Sequence, residues 1–179
     1  MKIMWFTNVP LPAVKEHLGI KTFGSGGWLG ALLHELIKNT NNTFIIVCTY
    51  SIKHVLFFKH ENVHYYVIPE TNDIKNSKVK KLLTQCIKII QSVKPDLLHV
   101  HGTERFYGLL SARNLINIPT IISIQGIVQI CAEWYRYFGN NTLLDLMKMH
   151  RIIEPFFLKG EFFKYLFFKK RVKIESEIF

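Results

Sequence analysis

Short apolar runs alternate with longer stretches of helical periodicity, and this alternation constrains the fold more than any other feature of the chain. The runs are residues 2–9, 44–49, 63–68, 97–101 and 120–125. Each is nearly continuous in apolar and β-branched residues, the pattern of a strand buried on both faces. Between the first two, Leu29, Leu32, Leu33, Leu36 and Ile37 form one apolar face of a helix over residues 27–38, with His34, Glu35 and Lys38 outside it. Val79, Leu82, Leu83, Cys86, Ile87, Ile90 and Val93 form a longer stripe that Pro95 stops. Residues 106–116 predict a third helix before Pro119. Strands that alternate with helices imply a parallel sheet joined by right-handed crossovers. The expectation is an α/β fold with a Rossmann-like doubly wound parallel sheet.

Ligands of such sheets lie outside the carboxyl ends of the strands. That rule selects residues 10–30, Tyr50, residues 101–105 and residues 125–128. The first stretch contains Gly24-Ser25-Gly26-Gly27-Trp28-Leu29-Gly30 at the start of the first long helix. Glycines there let backbone N–H groups approach an anion, and the helix terminus adds partial positive charge. A phosphate or nucleotide diphosphate suits that place, although the same glycines also suit a tight bend between helix and sheet. The connection over residues 10–23 is long for a strand-to-helix loop, and the glycine spacing departs from the dinucleotide-binding fingerprint. Tyr50-Ser51 stands where that fingerprint would place an acidic residue, so a dinucleotide-binding dehydrogenase is disfavoured.

The second marker is Lys94-Pro95-Asp96-Leu97-Leu98-His99-Val100-His101-Gly102-Thr103-Glu104. His99 and His101 share one side of a strand by its two-residue period. No third metal ligand accompanies them, so no metal is expected. His99 reads as structural, whereas His101 lies nearer the ligand edge, in reach of a substrate hydroxyl or phosphate. Glu104 reads first as a helix-entry residue favoured by the dipole and second as a substrate contact.

Composition narrows the classes further. A chain of 179 residues with 49% hydrophobic content supports one domain with a sizeable core. The net charge of +10 favours anionic partners. The lysines are scattered and no nucleic-acid-reading motif is present, so a nucleic-acid partner is not expected. Cys48, Cys86 and Cys131 are widely spaced, read as small core residues, and fit a reducing compartment. With no signal-peptide core and no span of about 18 apolar residues, a cytoplasmic location is expected. Ser111 and Ser123 lack the context of a hydrolytic nucleophile. Residues 151–179 carry seven of the 14 phenylalanines interleaved with Lys and Arg. A helix there would be basic and amphipathic, suited to packing against protein or to peripheral contact with an anionic membrane surface.

Three pieces of the chain resemble the amino-terminal domain of the retaining family-4 glycosyltransferases with the GT-B architecture. They are residues 24–30, the run Pro95-Asp96-Leu97-Leu98-His99-Val100-His101-Gly102, and Ile118-Pro119-Thr120-Ile121-Ile122-Ser123-Ile124-Gln125-Gly126. The resemblance implies two Rossmann-like domains facing a cleft, with a nucleotide-sugar donor and no other cofactor. It implies that Gly26 and Gly27 approach the donor diphosphate and that His101 lines the cleft. Gln125 stands where the family often has a histidine near the transferred sugar; it can hydrogen-bond a hydroxyl but cannot serve as an imidazole acid or base. His17, Glu104 and Arg105 are the candidate acceptor contacts. Residues 1–150 then form the acceptor-side domain, and residues 151–179 a basic aromatic segment leading to a donor-binding domain that the chain does not include. The expected function is sugar transfer to a lipid-linked or polysaccharide acceptor in cell-surface polysaccharide synthesis, with the 1–179 piece inactive alone. The alternative is a non-catalytic module that binds an anionic lipid or glycan. An exposed aromatic segment would also favour a homodimer.

Overall fold

The structure is a computed structural model that describes residues 1–20, 27–70, 76–137 and 161–179, without side-chain detail at 76, 134–137, 161–165 and 167. Six strands form one sheet: β1 (Lys2–Thr7), β2 (Thr43–Tyr50), β3 (Leu56–His60), β4 (Val63–Pro69), β5 (Leu97–His101) and β6 (Thr120–Ser123). Their order is β3-β4-β2-β1-β5-β6. All neighbours run parallel except β3, which pairs antiparallel with β4. Among the described residues the helices are α1 (Pro12–His17), α2 (Gly27–Asn39), α3 (Asn76–Val93), α4 (Leu109–Ala112), α5 (Val128–Tyr137) and α6 (Glu161–Ile178). The five expected parallel strands are all present, and the Rossmann-like α/β reading holds.

Strand period divides the core in two. Trp5, Phe44, Ile46, Cys48, Tyr65 and Val67 face α1 and α2, meeting Leu11, Val14, Leu29 and Leu33. Met4, Phe6, Ile45, Val47, Leu98 and Val100 face the other way, toward α3, α4 and the end of α6. Burying a side chain of this size is favourable by about 1.5–3 kcal/mol, so two such layers account for much of the driving force. Cys48 and Cys86 are buried free thiols within these layers, and burial pushes Cys48 up to about 12.

Several expectations need correction. The antiparallel strand β3 has no counterpart in the sequence reading. It is a half-exposed edge, and its turn to β4 is Glu61-Asn62, with Glu61 at φ +50°, rather than a glycine hairpin signal. The long connection over residues 10–23 contains α1, started by Pro12 at its first turn. The helix expected over 106–116 is a 3-10 turn (Phe106–Gly108) running into the short α4, ended as Asn114 takes a left-handed φ of +51°. β1 ends at Thr7 and β6 at Ser123, each two residues earlier than expected.

The end of α6 packs on this domain. Ile174 and Ile178 join the core on the α3 side. A Cβ at Gly108 would come within 2.8 Å of Ile178, so the helix approaches where a side chain is missing. Arg113 donates twice to Glu177, at 2.5 and 2.8 Å, on the surface. The buried anchor is Glu175, only 3% exposed. Its carboxylate accepts from the Thr103 hydroxyl at 2.6 Å and from the backbone N–H groups of Val128 and Gln129 at 3.0 and 3.1 Å. Glu175 therefore caps α5 from another helix, where a negative charge also meets the positive helix end. Among the described residues no helix is long and apolar enough to cross a membrane. Of the phenylalanines expected to form an amphipathic stripe, 156 and 157 lie outside the described residues, and the side chains of 162, 163 and 167 are likewise not described.

Replacing Glu175 with Ala leaves two helix-end N–H groups and a threonine hydroxyl buried without an acceptor. A loss of about 2–4 kcal/mol is expected in denaturant unfolding, with earlier proteolysis inside α6. Glu177→Ala, on the surface, is expected to cost under about 1 kcal/mol.

Candidate functional site

The chain winds outward from β1 in two directions. β2, β4 and β3 lie on one side, and β5 and β6 on the other. The winding reverses between β1 and β5, and the loops leaving these two strands diverge. In doubly wound sheets that crevice, at the carboxyl ends of the strands, is the ligand position. β1 delivers Thr7 and Asn8 to it, and β5 delivers His101, Gly102, Thr103 and Glu104.

Gly102 has φ +97°, and a Cβ there would overlap the Glu104 carboxylate and the Asn8 amide. Only glycine lets the loop after β5 turn this tightly against the loop after β1. The Asn8 amide donates to the Glu104 carboxylate across the gap. The other end of that amide, Oδ1, is buried with no hydrogen-bond partner among the described residues.

His101 is 1% exposed, and neither ring nitrogen has a partner among the described residues. Aromatic rings surround it instead. Trp5 lies at 4.4 Å between ring centroids, His99 at 3.9 Å and Trp28 at 6.1 Å. Burial, reinforced by the neighbouring His99, lowers the His101 pKa from 6.5 to about 3. The ring is therefore neutral near pH 7 and offers one N–H donor and one acceptor. It cannot supply a proton from an imidazolium. His99 is also depressed by burial, and its Nε2 lies 2.6 Å from the Ser123 hydroxyl.

A second group lies along the same edge toward β4. Arg105 donates to Glu70 at 2.6 Å and to the Thr49 hydroxyl at 2.8 Å. Tyr107, buried beneath, donates to the same hydroxyl at 3.4 Å, and burial pushes its phenol up. Arg171 of α6 feels this group directly. Burial foremost, then the like charge of Arg105, brings it down to about 10, against the opposing pull of Glu104 and Glu70. The edge thus carries two guanidiniums and two carboxylates beside a neutral, ring-enclosed histidine. Among the described residues no three His, Cys, Asp or Glu side chains gather as a metal site.

The structure brings His101, Glu104 and Arg105 to this edge. Gln125 is exposed two residues beyond β6. Gly27 is the first residue of α2, and Gly26 lies outside the described residues. Gly30 packs on the Pro12 ring, where a Cβ would stand 3.1 Å away, so this glycine serves helix packing. His17 is not brought to the group; its ring stacks flat on Phe58 of β3, with centroids 4.0 Å apart. Asn8 and Glu70 each follow a parallel strand but are not among the expected site residues: Asn8 falls inside the apolar run that predicts the first strand, and Glu70 belongs to no motif. Arg171 and Glu175 carry no local signal, since a helix distant in sequence places them.

No family model matches the chain, and no curated protein matches it either. Among solved structures it is similar to sucrose-phosphate synthase from Thermosynechococcus elongatus, with a TM-score of 0.48 and 11% identity over 86% of this chain. The match covers 40% of that protein.

Two outcomes follow from the geometry. The unfolded chain protonates His101 near 6.5 while the folded chain resists to about 3. The His101 contribution to stability is therefore full above about pH 6.5 and is lost on acidification toward pH 3, by about 1.4 kcal/mol per pH unit. His101→Phe is expected to make that acid limb shallower in urea unfolding series. Gly102→Ala strains a positive φ and displaces Asn8 and Glu104, with an expected cost of about 2–4 kcal/mol, measurable as a lowered Tm.

Proposed function

We propose that this chain is the acceptor-side domain of a GT-B glycosyltransferase of the retaining family-4 type. On this reading it moves a sugar from a nucleotide sugar to a lipid-linked or polysaccharide acceptor at the cytoplasmic face of the membrane, in cell-surface polysaccharide synthesis. The observation that carries the reading is the buried His101 imidazole, without a hydrogen-bond partner among the described residues, at the switch between β1 and β5. A neutral ring with both nitrogens unclaimed is suited to grip a sugar hydroxyl, donating at one nitrogen or accepting at the other. The half-exposed Trp28 beside it offers an apolar surface against which a sugar ring can stack.

The chemistry asked of this side is positioning and electrostatics rather than proton transfer. Gly27, the first residue of α2, and its sequence neighbour Gly26 are assigned to the departing nucleotide diphosphate, through backbone N–H groups. Asn8 Oδ1 accepts from a hydroxyl, and Gln125 reaches the transferred sugar. Glu104 and Arg105 contact the acceptor, with Arg171 raising the positive potential there. His17 takes no part in this assignment because its ring is spent on Phe58. A second Rossmann-like domain contributes most of the donor site.

The test is a panel of UDP and GDP sugars given to the natural full-length chain with polyprenyl-phosphate-linked and oligosaccharide acceptors. Released nucleotide is the readout. Turnover is expected with at least one pair and is not expected for residues 1–179 alone. His101→Ala is expected to lower kcat/KM by about 10- to 100-fold, equivalent to roughly 1.4–2.7 kcal/mol. His101→Gln, which keeps a donor and an acceptor, should lose less. Acceptor binding without any donor turnover would instead mark a non-catalytic binding module.

A further inference from the structure

A second concavity opens on the α3 side of the same sheet edge. It measures about 540 Å³ and lies between the β2–β3 connection, the end of β4 and the first turns of α3. Lys53 and His54 line one wall, and Lys78 and Lys81 line the other. Val55, Pro69 and Leu82 supply its apolar surface. Among the described residues of the lining the acid is Glu70, already engaged by Arg105 at 2.6 Å, which leaves it less able to neutralise Lys53 and Lys81. α3 has no acidic residue in its first turn, so its positive end adds to the same potential. One further polar group points to a ligand. The Oε1 atom of Gln85 is buried in this lining with no hydrogen-bond partner among the described residues. It can accept from a hydroxyl, and turning the amide over presents its NH2 group instead.

We propose that this cleft binds a phosphate group carried by a small molecule or a lipid, with Lys53 and Lys81 as its main cations. The proposal is independent of the transferase reading. Positive groups converge here from two chain segments, in a recess whose apolar surface lowers the local dielectric. Each ion contact is therefore worth more than one on an open surface. The volume lies within the usual range for small-ligand sites, roughly 300–1,000 Å³, so it holds a diphosphate together with part of its organic substituent. Gln85 then serves the protonated or hydroxyl-bearing side of the ligand.

The probes are inorganic pyrophosphate, followed by calorimetry and by amide NMR of residues 77–85, and vesicles of phosphatidylcholine with and without phosphatidic acid. Pyrophosphate is expected to shift those amides saturably, with binding that weakens as salt rises. The double variant Lys53→Glu, Lys81→Glu is expected to weaken it by at least about tenfold, or roughly 1.4 kcal/mol. Lys38→Glu, on an exposed part of α2 across the sheet, is the control for net charge and should change it little. Saturable pyrophosphate binding with no vesicle sedimentation identifies a soluble phosphate compound. Sedimentation with phosphatidic acid that pyrophosphate competes away identifies a lipid phosphate. Equal weakening by Lys38→Glu, or no response to either probe, would overturn the proposal.

Discussion

Parallel pairing of β1 with β2 on one side and β5 on the other is the constraint on which the rest of the structure depends. Met4, Trp5 and Phe6 are almost wholly buried, and successive residues feed opposite core layers. A strand covered on both faces and paired on both edges can only lie in the middle of a sheet. Parallel neighbours need long connections, and these cross the faces as helices. The strands of the parallel set therefore end on one edge. The crossover through α3 carries the chain from β4 back to the far side of β1, opening the crevice beside Asn8 and Gly102. The site is a consequence of how the sheet is wound rather than of any local motif.

The loop after β5 is braced from outside. Thr103, one residue beyond Gly102, donates to Glu175 of α6, and the same carboxylate caps α5. A buried charge is costly unless its acceptor sites are filled. Here three donors fill them, two of them at the positive end of a helix. Removing the acid is therefore far more disruptive than removing Glu177, whose pairing with Arg113 is exposed and water-screened. Arg171 lies one turn before Glu175, so the anchoring that seats α6 also brings a guanidinium toward Glu70, Glu104 and Arg105.

The edge divides its chemistry by burial. His101, ringed by Trp5, Trp28 and His99, is kept neutral because an imidazolium would lose its water without gaining an anion. Arg105 instead donates to Glu70 and to Thr49. Farther along, Lys53 and Lys81 stay exposed around a recess whose described acid, Glu70, is already engaged. Neutral hydrogen bonding and cationic attraction are thus held in neighbouring but separate places.

The apolar runs and the helical stripes between them suffice for the parallel α/β sheet, because central strands need continuous burial and helices need a face. The place of His101-Gly102-Thr103-Glu104 at the carboxyl edge of the sheet was legible, since they follow directly on an apolar strand. The edge strand β3 was not legible: a strand half in water has no strong pattern, and Glu61-Asn62 is a weak turn signal. Nor was the truncation of the helix after Phe106, which follows from Asn114 taking the left-handed region. What the sequence by itself determined is the succession of the five parallel strands with α2 and α3 between them, and the delivery of residues 101–105 to the carboxyl edge, because periodicity and burial are local properties. What only the tertiary structure decided is which of them meet. Asn8 finds Glu104, Arg105 finds Glu70, and Glu175 finds Thr103 across separations of 96, 35 and 72 residues. Contacts at such distances are set by packing, and no local pattern in the chain encodes them.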